Sequence, residues 1–144
     1  MNKKLIANVF ISIEATSQQV WNALVNPDAI RQSMYSTHVV SDWREGGQIV
    51  WQGIWQGNSF VDRGVILKLV PGHTLQYNFF NSLSGLPDKP ENHHTVTIEL
   101  SANKTGTHVS LTQDNNADDT ERAHYEELWK MMLANLKKLI EEAK

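Results

Sequence analysis
The hydrophobic and polar positions change period twice along the chain, and each change marks a change of element. Residues 5–13, Leu-Ile-Ala-Asn-Val-Phe-Ile-Ser-Ile, alternate: Ala7, Val9, Ile11 and Ile13 share one face, with Asn8, Ser12 and Glu14 on the other. That is a strand with one buried side. Thr-Ser-Gln-Gln-Val-Trp-Asn-Ala-Leu-Val-Asn-Pro follows. Thr16 and Gln19 stand at capping-box spacing, so hydroxyl and amide can each satisfy an orphan N–H. Val20, Ala23 and Leu24 make a short apolar stripe, and Asn26-Pro27-Asp28 ends that helix and opens another. From about 36 to 115 the period is two. Six stretches read as strands: 37–43, 48–56, 60–70, 74–80, 94–100 and 107–113. Their separators, among them Glu45-Gly46-Gly47, Gly57-Asn58 and Pro71-Gly72, are hairpin chemistries, which predicts an antiparallel sheet. The period then lengthens. Tyr125, Leu128, Trp129, Met132, Leu136 and Ile140 follow helical spacing in a stretch free of Gly and Pro. At ~1.5 Å per residue, roughly 25 residues span nearly 40 Å, so this helix needs a sheet of comparable length beneath it. Asp118, Asp119 and Glu121 read as its cap and dipole partners.

The order is strand, two small helices, six strands, long helix. Helices gathered on one side of an antiparallel sheet make an α+β, two-layer fold. A strongly curved sheet closed on a long helix leaves room between the layers, where ligand pockets often lie.

Composition narrows the function. The 144 residues suit a single domain, 1–144. There is no Cys, which excludes disulfides, thiolate metal sites and cysteine nucleophiles. Thirteen basic against sixteen acidic residues give a net charge of −3, and no basic stripe forms, which disfavours nucleic acid. The opening Met-Asn-Lys-Lys-Leu-Ile-Ala-Asn-Val-Phe shows no signal-peptide pattern and the chain no membrane span, pointing to the cytoplasm. His93 and His94 are neighbours on a presumed strand and cannot chelate together. Glu121-x-x-His124 is a single pair near an exposed helix start, where a carboxylate di-metal site needs two such pairs and further carboxylates. No metal or cofactor is expected. No Gly-x-Ser-x-Gly and no phosphate loop is present.

Trp51 and Trp55 repeat in Trp-Gln-Gly-Ile-Trp-Gln-Gly and project from one face of their strand. Their indoles are core filling, a pocket wall or an exposed sugar platform. Gly53 between them leaves room where a bulky side chain would not fit. Alternation places Val65, Leu67 and Leu69 on one face. Extended back, that parity turns Arg63 inward unless a bulge at Gly64 resets it. Leu75, Tyr77 and Phe79 share a face. His94 has the parity of Val96, Ile98 and Leu100, and Gln113 that of Val109 and Leu111. Arg63, Tyr77, His94 and Gln113 are thus polar groups on apolar faces, the form a small-molecule site takes when they converge.

These motifs together resemble the helix-grip superfamily of START-like (SRPBCC) domains, in its branch of Activator of Heat Shock Protein ATPase homologues (AHSA-like). The resemblance rests on Ala-Thr-Ser-Gln-Gln-Val-Trp-Asn-Ala-Leu-Val-Asn-Pro, the Gly46-Gly47 turn before a strand, Gly64-Val65 with the Pro71 turn, the hairpin 94–113 and the Trp129 helix, and it covers nearly the whole chain. It departs at Met34-Tyr35, where the branch often has Trp, at Leu128, where Gly is usual, and in the long loop 82–93. The resemblance implies a curved antiparallel sheet of about six or seven strands wrapped on the C-terminal helix, with an apolar cavity between. Trp51, Trp55, Leu67, Tyr77 and Phe79 from the sheet would line it, with Trp129, Met132 and Leu136 from the helix, and Arg63 or His94 would orient a polar group. The expected role is binding of a small, largely apolar or aromatic ligand, without nucleic acid or membrane; a homodimer is left open. Two alternatives stand beside it: an enzyme of polyketide-cyclase or aromatic-substrate type using His94, or Tyr77 with Arg63, and a chaperone-ATPase regulator acting through protein contact.

Overall fold
The computed structural model describes residues 5–143. Residues 1–4, part of the stretch expected to carry no signal peptide, and Lys144 lie outside the described residues. Strand β1 (Ala7–Ile13) leads into helices α1 (Ser17–Leu24) and α2 (Pro27–Ser33). Strands β2 (His38–Ser41), β3 (Gln48–Trp55), β4 (Asn58–Val70), β5 (Thr74–Phe79), β6 (His94–Ala102) and β7 (Thr107–Gln113) follow, and α3 (Asp119–Glu142) ends the chain. The order in the sheet is β1-β7-β6-β5-β4-β3-β2, antiparallel throughout. Strands β2 to β7 form a meander of hairpins, and β1 closes it by pairing with the last strand. This is the curved, seven-stranded α+β helix-grip arrangement.

Local chemistry sets the helix ends. The Thr16 hydroxyl accepts from Gln19 N–H at 3.1 Å and the Gln19 side chain accepts from Thr16 N–H at 2.9 Å, the reciprocal box that starts α1. Asn26 Oδ1 accepts from Asp28 and Ala29, with Pro27 at the first position of α2. Asp118 Oδ1 accepts from Glu121 N–H at 2.8 Å and starts α3.

Helix α3 is held by its apolar stripe and by the free edge of β1. Tyr125, Trp129, Met132, Leu133, Leu136 and Ile140 are buried against the sheet. Side chains of α3 also cap the outer edge of β1. Glu126 accepts from Asn8 N–H at 3.1 Å, Glu141 accepts from Glu14 N–H at 2.8 Å, and Lys137 donates to the Ser12 carbonyl at 2.9 Å. An open edge would otherwise offer those groups to another chain. Inside, the indole N–H of Trp129 and the fully buried amides of Gln113 and Asn116 satisfy one another. Trp129 Nε1–H donates to Gln113 Oε1 at 2.6 Å, Gln113 donates to Asn116, and Asn116 donates to the Leu5 carbonyl at 2.9 Å. The helix is thereby pinned in register over β7.

Strand β4 departs from the alternation expected of it. Ile66 pairs with Tyr77 but Lys68 with Gln76, so Leu67 is an extra residue, a β-bulge. On the N-terminal side of that bulge the inward positions are Phe60, Asp62, Gly64 and Ile66, and Ile66 is fully buried. Val65 and Leu67 are exposed at 38% and 44%, and Arg63 is exposed too. The inward placement of Arg63 and Leu67 is therefore wrong. Parity carried back from Leu69 crosses the bulge and turns every earlier side chain to the opposite face. The bulge falls at Leu67; Gly64 has a different task. A Cβ there would lie 1.7 Å from the Asn78 carbonyl oxygen, so only glycine permits that approach of β4 to β5.

Candidate functional site
A cavity of about 400 Å³ lies between the concave side of β3–β5 and the first half of α3. Alternation on β3 sends Trp51 inward, fully covered, and Trp55 half-covered toward the rim. The ring of Phe60, opposite Gly53 on β4, sits where a Cβ at Gly53 would come within 3.2 Å, so the glycine makes room for an aromatic wall. On β5 the same period brings in Tyr77 and Phe79. The rings form a connected surface. Trp51 tilts against Tyr77 at 4.9 Å between centroids and meets Phe79 edge-on at 5.9 Å, while Phe79 meets Tyr125 edge-on at 6.4 Å. Helical spacing supplies Trp129 and Met132 from above.

Six residues expected at the site thus line this one cavity: Trp51, Trp55, Tyr77 and Phe79 from the sheet, Trp129 and Met132 from α3. Leu136 is buried one turn further along α3, beside an adjoining void of about 30 Å³. His94 is buried behind the wall. Its ring packs 5.2 Å from Phe79 and 5.3 Å from Tyr125, and its Nδ1 lies 3.0 Å from the Asp114 carbonyl. A carbonyl can only accept, so this contact assigns the proton to Nδ1. Arg63 and Leu67 face away, as described. Neither Arg63 nor His94 reaches a ligand in this cavity, which corrects their expected role at its polar end.

The polar end is built from other residues. Asp62, directly across from Trp51 in the β3–β4 pairing, carries its carboxylate on the cavity wall. Its Oδ1 accepts from both the N–H and the hydroxyl of Ser82, each at 2.8 Å, which ties down the loop after β5. Burial pushes the Asp62 carboxyl up, and the two Ser82 bonds only partly offset this. Asn81, next in that loop, donates to the Tyr125 hydroxyl at 2.9 Å. Burial pushes the Tyr125 phenol up to about 12, with the charges of Glu121 and Asp62 adding and the Asn81 bond opposing. Burial also raises the Tyr77 phenol. At the mouth, Tyr35 and Ser36 both adopt left-handed backbone, φ +54° and +63°, an uncommon pair for non-glycine residues. This swings the Tyr35 ring edge-on to Trp55 at 5.3 Å, with its hydroxyl buried and without a hydrogen-bond partner.

Asp62, Asn81, Tyr125 and Tyr35 were not foreseen as site residues. For Tyr125 the signal was present, since it leads the helical stripe. Asp62 would have followed from anchoring the parity of β4 on Ile66. The 34–37 and 81–83 segments carry no period, and tertiary contacts alone place them at the mouth.

Comparison with known proteins bears on the family and the fold. The family model described as Activator of Hsp90 ATPase homolog 1-like protein matches residues 14–141. The chain belongs to that family. The solution structure of ChR145 from Cytophaga hutchinsonii, 50% identical in sequence, superposes with TM-score 0.85 over 99% of this chain and 98% of that one. The crystal structure of MLL2253 from Mesorhizobium loti matches at 22% identity and TM-score 0.79, over 96% of this chain and 98% of that one. The solution structure of the Aha1 dimer from Colwellia psychrerythraea matches at 20% identity and TM-score 0.72, over 94% and 95%. These two share the fold. No curated protein matches the chain. No helix among the described residues is long and apolar enough to cross a membrane, and they contain no cluster of three or more potential metal ligands.

Proposed function
We propose that this chain binds a small, largely apolar molecule in the cavity between the sheet and α3. The observation that carries the reading is the cavity itself: about 400 Å³, walled by tilted and edge-on aromatic rings, with a few polar groups at one end. That is the form and size of a small-molecule site. A ligand burying ~200 Å² of apolar surface gains roughly 5 kcal/mol at ~25 cal/mol per Å², before the cost of immobilising it. Native mass spectrometry of the purified chain, followed by extraction of the bound species, tests this. A recurrent small molecule, lost when Trp51 and Met132 are replaced together by alanine in a protein that still folds, is the expected result. A ligand retained by that variant would place binding elsewhere.

The family description supports a second reading, control of a chaperone ATPase through protein contact. The outer side of the sheet favours it, because Val40, Val61 and Val65 are exposed there. Stimulation of Hsp90 ATPase turnover by the wild-type chain, abolished by Val61→Glu with Val65→Glu, is expected on this reading. Turnover that stays flat over a wide range of added chain removes it.

A further inference from the structure
Among the described residues, the walls of the cavity are rich in aromatic faces and contain a single carboxylate, Asp62, and a single imidazole, His124, with no Lys or Arg. Asp62 is part-buried, and its partners among the described residues are the N–H and hydroxyl of Ser82, both on Oδ1. Among the described residues its Oδ2 has no hydrogen-bond partner and no Lys or Arg pairs with it. The neighbouring Arg63 cannot serve, because the pleat turns it to the outer face. A part-buried carboxylate without a counter-charge is a costly thing to keep on a cavity wall.

The rings beside it are of the kind that hold cations. Trp51 stands directly opposite Asp62 in the strand pairing and leads the connected series to Tyr77 and Phe79. Tyr35 and Trp55 close the rim edge-on. The π-face of an indole or phenol attracts an organic ammonium, and most strongly where water is excluded. The same wall disfavours an anion, which would meet the Asp62 charge and find no Lys or Arg, His124 being the one basic side chain there among the described residues.

From this we infer that the cavity takes an organic ammonium ion: a protonated amine on an apolar or aromatic body, its N–H donating to Asp62 Oδ2 beside the Trp51 ring, its body along Phe79, Trp129 and Met132. The inference rests on the reading of the cavity as a small-molecule site and names the class of molecule it selects. Free fatty acids, aromatic acids and phosphate esters are disfavoured by the same charge pattern, with Asp62 on the wall and no Lys or Arg to offset it.

The test uses the purified full chain and three probes of one shape: naphthalen-2-ylmethylammonium, naphthalen-2-ylmethanol and 2-naphthoate, titrated by calorimetry at physiological salt. The ammonium should bind at least ~10-fold more tightly than the alcohol, and the carboxylate most weakly of the three. Asp62→Asn keeps an oxygen acceptor for Ser82, so the loop stays anchored while the charge is removed. It should bring ammonium and alcohol to within about two-fold of each other, with alcohol binding retained as a check on the fold. Alcohol binding as tight as ammonium binding, or a preference for ammonium that survives Asp62→Asn, overturns the cation inference and leaves the cavity as a binding site. No binding of any probe, with the chain shown folded by its amide NMR spectrum, overturns both.

Discussion

Asp62 carries a cost that its own contacts do not remove. Burial raises its carboxyl above the ordinary value of 3.8, and the Ser82 bonds recover only part of that. For an acid raised on folding, the folded state holds the proton more tightly than the unfolded chain does. Between the ordinary value and the raised one, the unfolded chain binds fewer protons, so this group's contribution to stability falls as pH rises through that window. Above it, the ionised carboxylate is a standing penalty. Asp62→Asn should therefore be more stable than the parent at pH 7, and the gap should close as pH is lowered toward 4. The other ionisable side chains on the wall, Tyr35, Tyr77, Tyr125 and His124, are common to both proteins. Urea midpoints of the two proteins measured across that range check this. A variant less stable than the parent at pH 7 would mean that the charge strengthens the Ser82 anchor by more than burial costs. A residue that lowers stability at a cavity wall is a candidate for function rather than for folding. Tyr35 makes the same point with a hydroxyl. Its hydroxyl is buried, on a left-handed backbone, with no hydrogen-bond partner among the described residues.

At the scale of elements, α3 and β4 decide where the cavity opens. The grip of α3 on β7 passes through Trp129 Nε1 and Gln113 Oε1, both buried. Trp129→Phe keeps most of the apolar surface but strands the Gln113 oxygen out of water. A loss of roughly 1–3 kcal/mol is expected, read from chemical denaturation; a change under about half a kcal/mol would show that Gln113 re-pairs with Asn116 alone. In β4, Gly64→Ala drives a methyl into the Asn78 carbonyl and should cost at least the upper part of the ~1–3 kcal/mol range for overpacking, with the β4–β5 amide signals most shifted. Wild-type-like stability would mean that β4 and β5 part there without loss. These two elements also mark how much was legible beforehand. The stripe of α3, the capping box of α1 and the inward sets on β1, β5, β6 and β7 follow from period alone, because none of those strands carries an extra residue of its own. Strand β4 does. Phe60 and Ile66 on one parity, and Val61, Val65 and Leu67 on the other, give it apolar residues on both sides, and nothing in the local sequence marks Leu67 as the extra residue. The error at Leu67 spread to Arg63 and hid Asp62. His94 was read onto the correct face, yet packing behind Phe79 and Tyr125 keeps it off the cavity wall, and no periodicity reports which layer a buried residue occupies. The mouth was unreadable for a further reason: Ser82 and Asn81 are held by Asp62 and Tyr125, some 20 and 44 residues away in sequence.

For the whole molecule, the cavity's place between layers couples binding to stability. A ligand there touches the sheet through Trp51 and Phe79 and α3 through Trp129 and Met132, so it can be held only while the two layers stay packed. A ligand that binds the folded chain alone stabilises it by mass action, about 2.7 kcal/mol at one hundred times its dissociation constant. For a chain of this size that raises the melting temperature by roughly 5–10 °C. The effect should be uneven in space. The segments at the mouth, 34–37 and 81–83, lie outside the sheet ladders, and the second is tied to the cavity wall itself through Asp62 and Tyr125, so they stand to gain most, whereas β1 and β7 are already closed by pairing with each other and by the side chains of α3. Hydrogen exchange with and without ligand separates these regions. Slowing concentrated in 34–37, 81–83 and the first half of α3, with the β1–β7 ladder changing only as much as global stability requires, is the expected pattern. Protection that rises first along the outer side of β2 and β4, with the mouth unchanged, would move the binding surface from the cavity to the back of the sheet and favour the protein-contact reading.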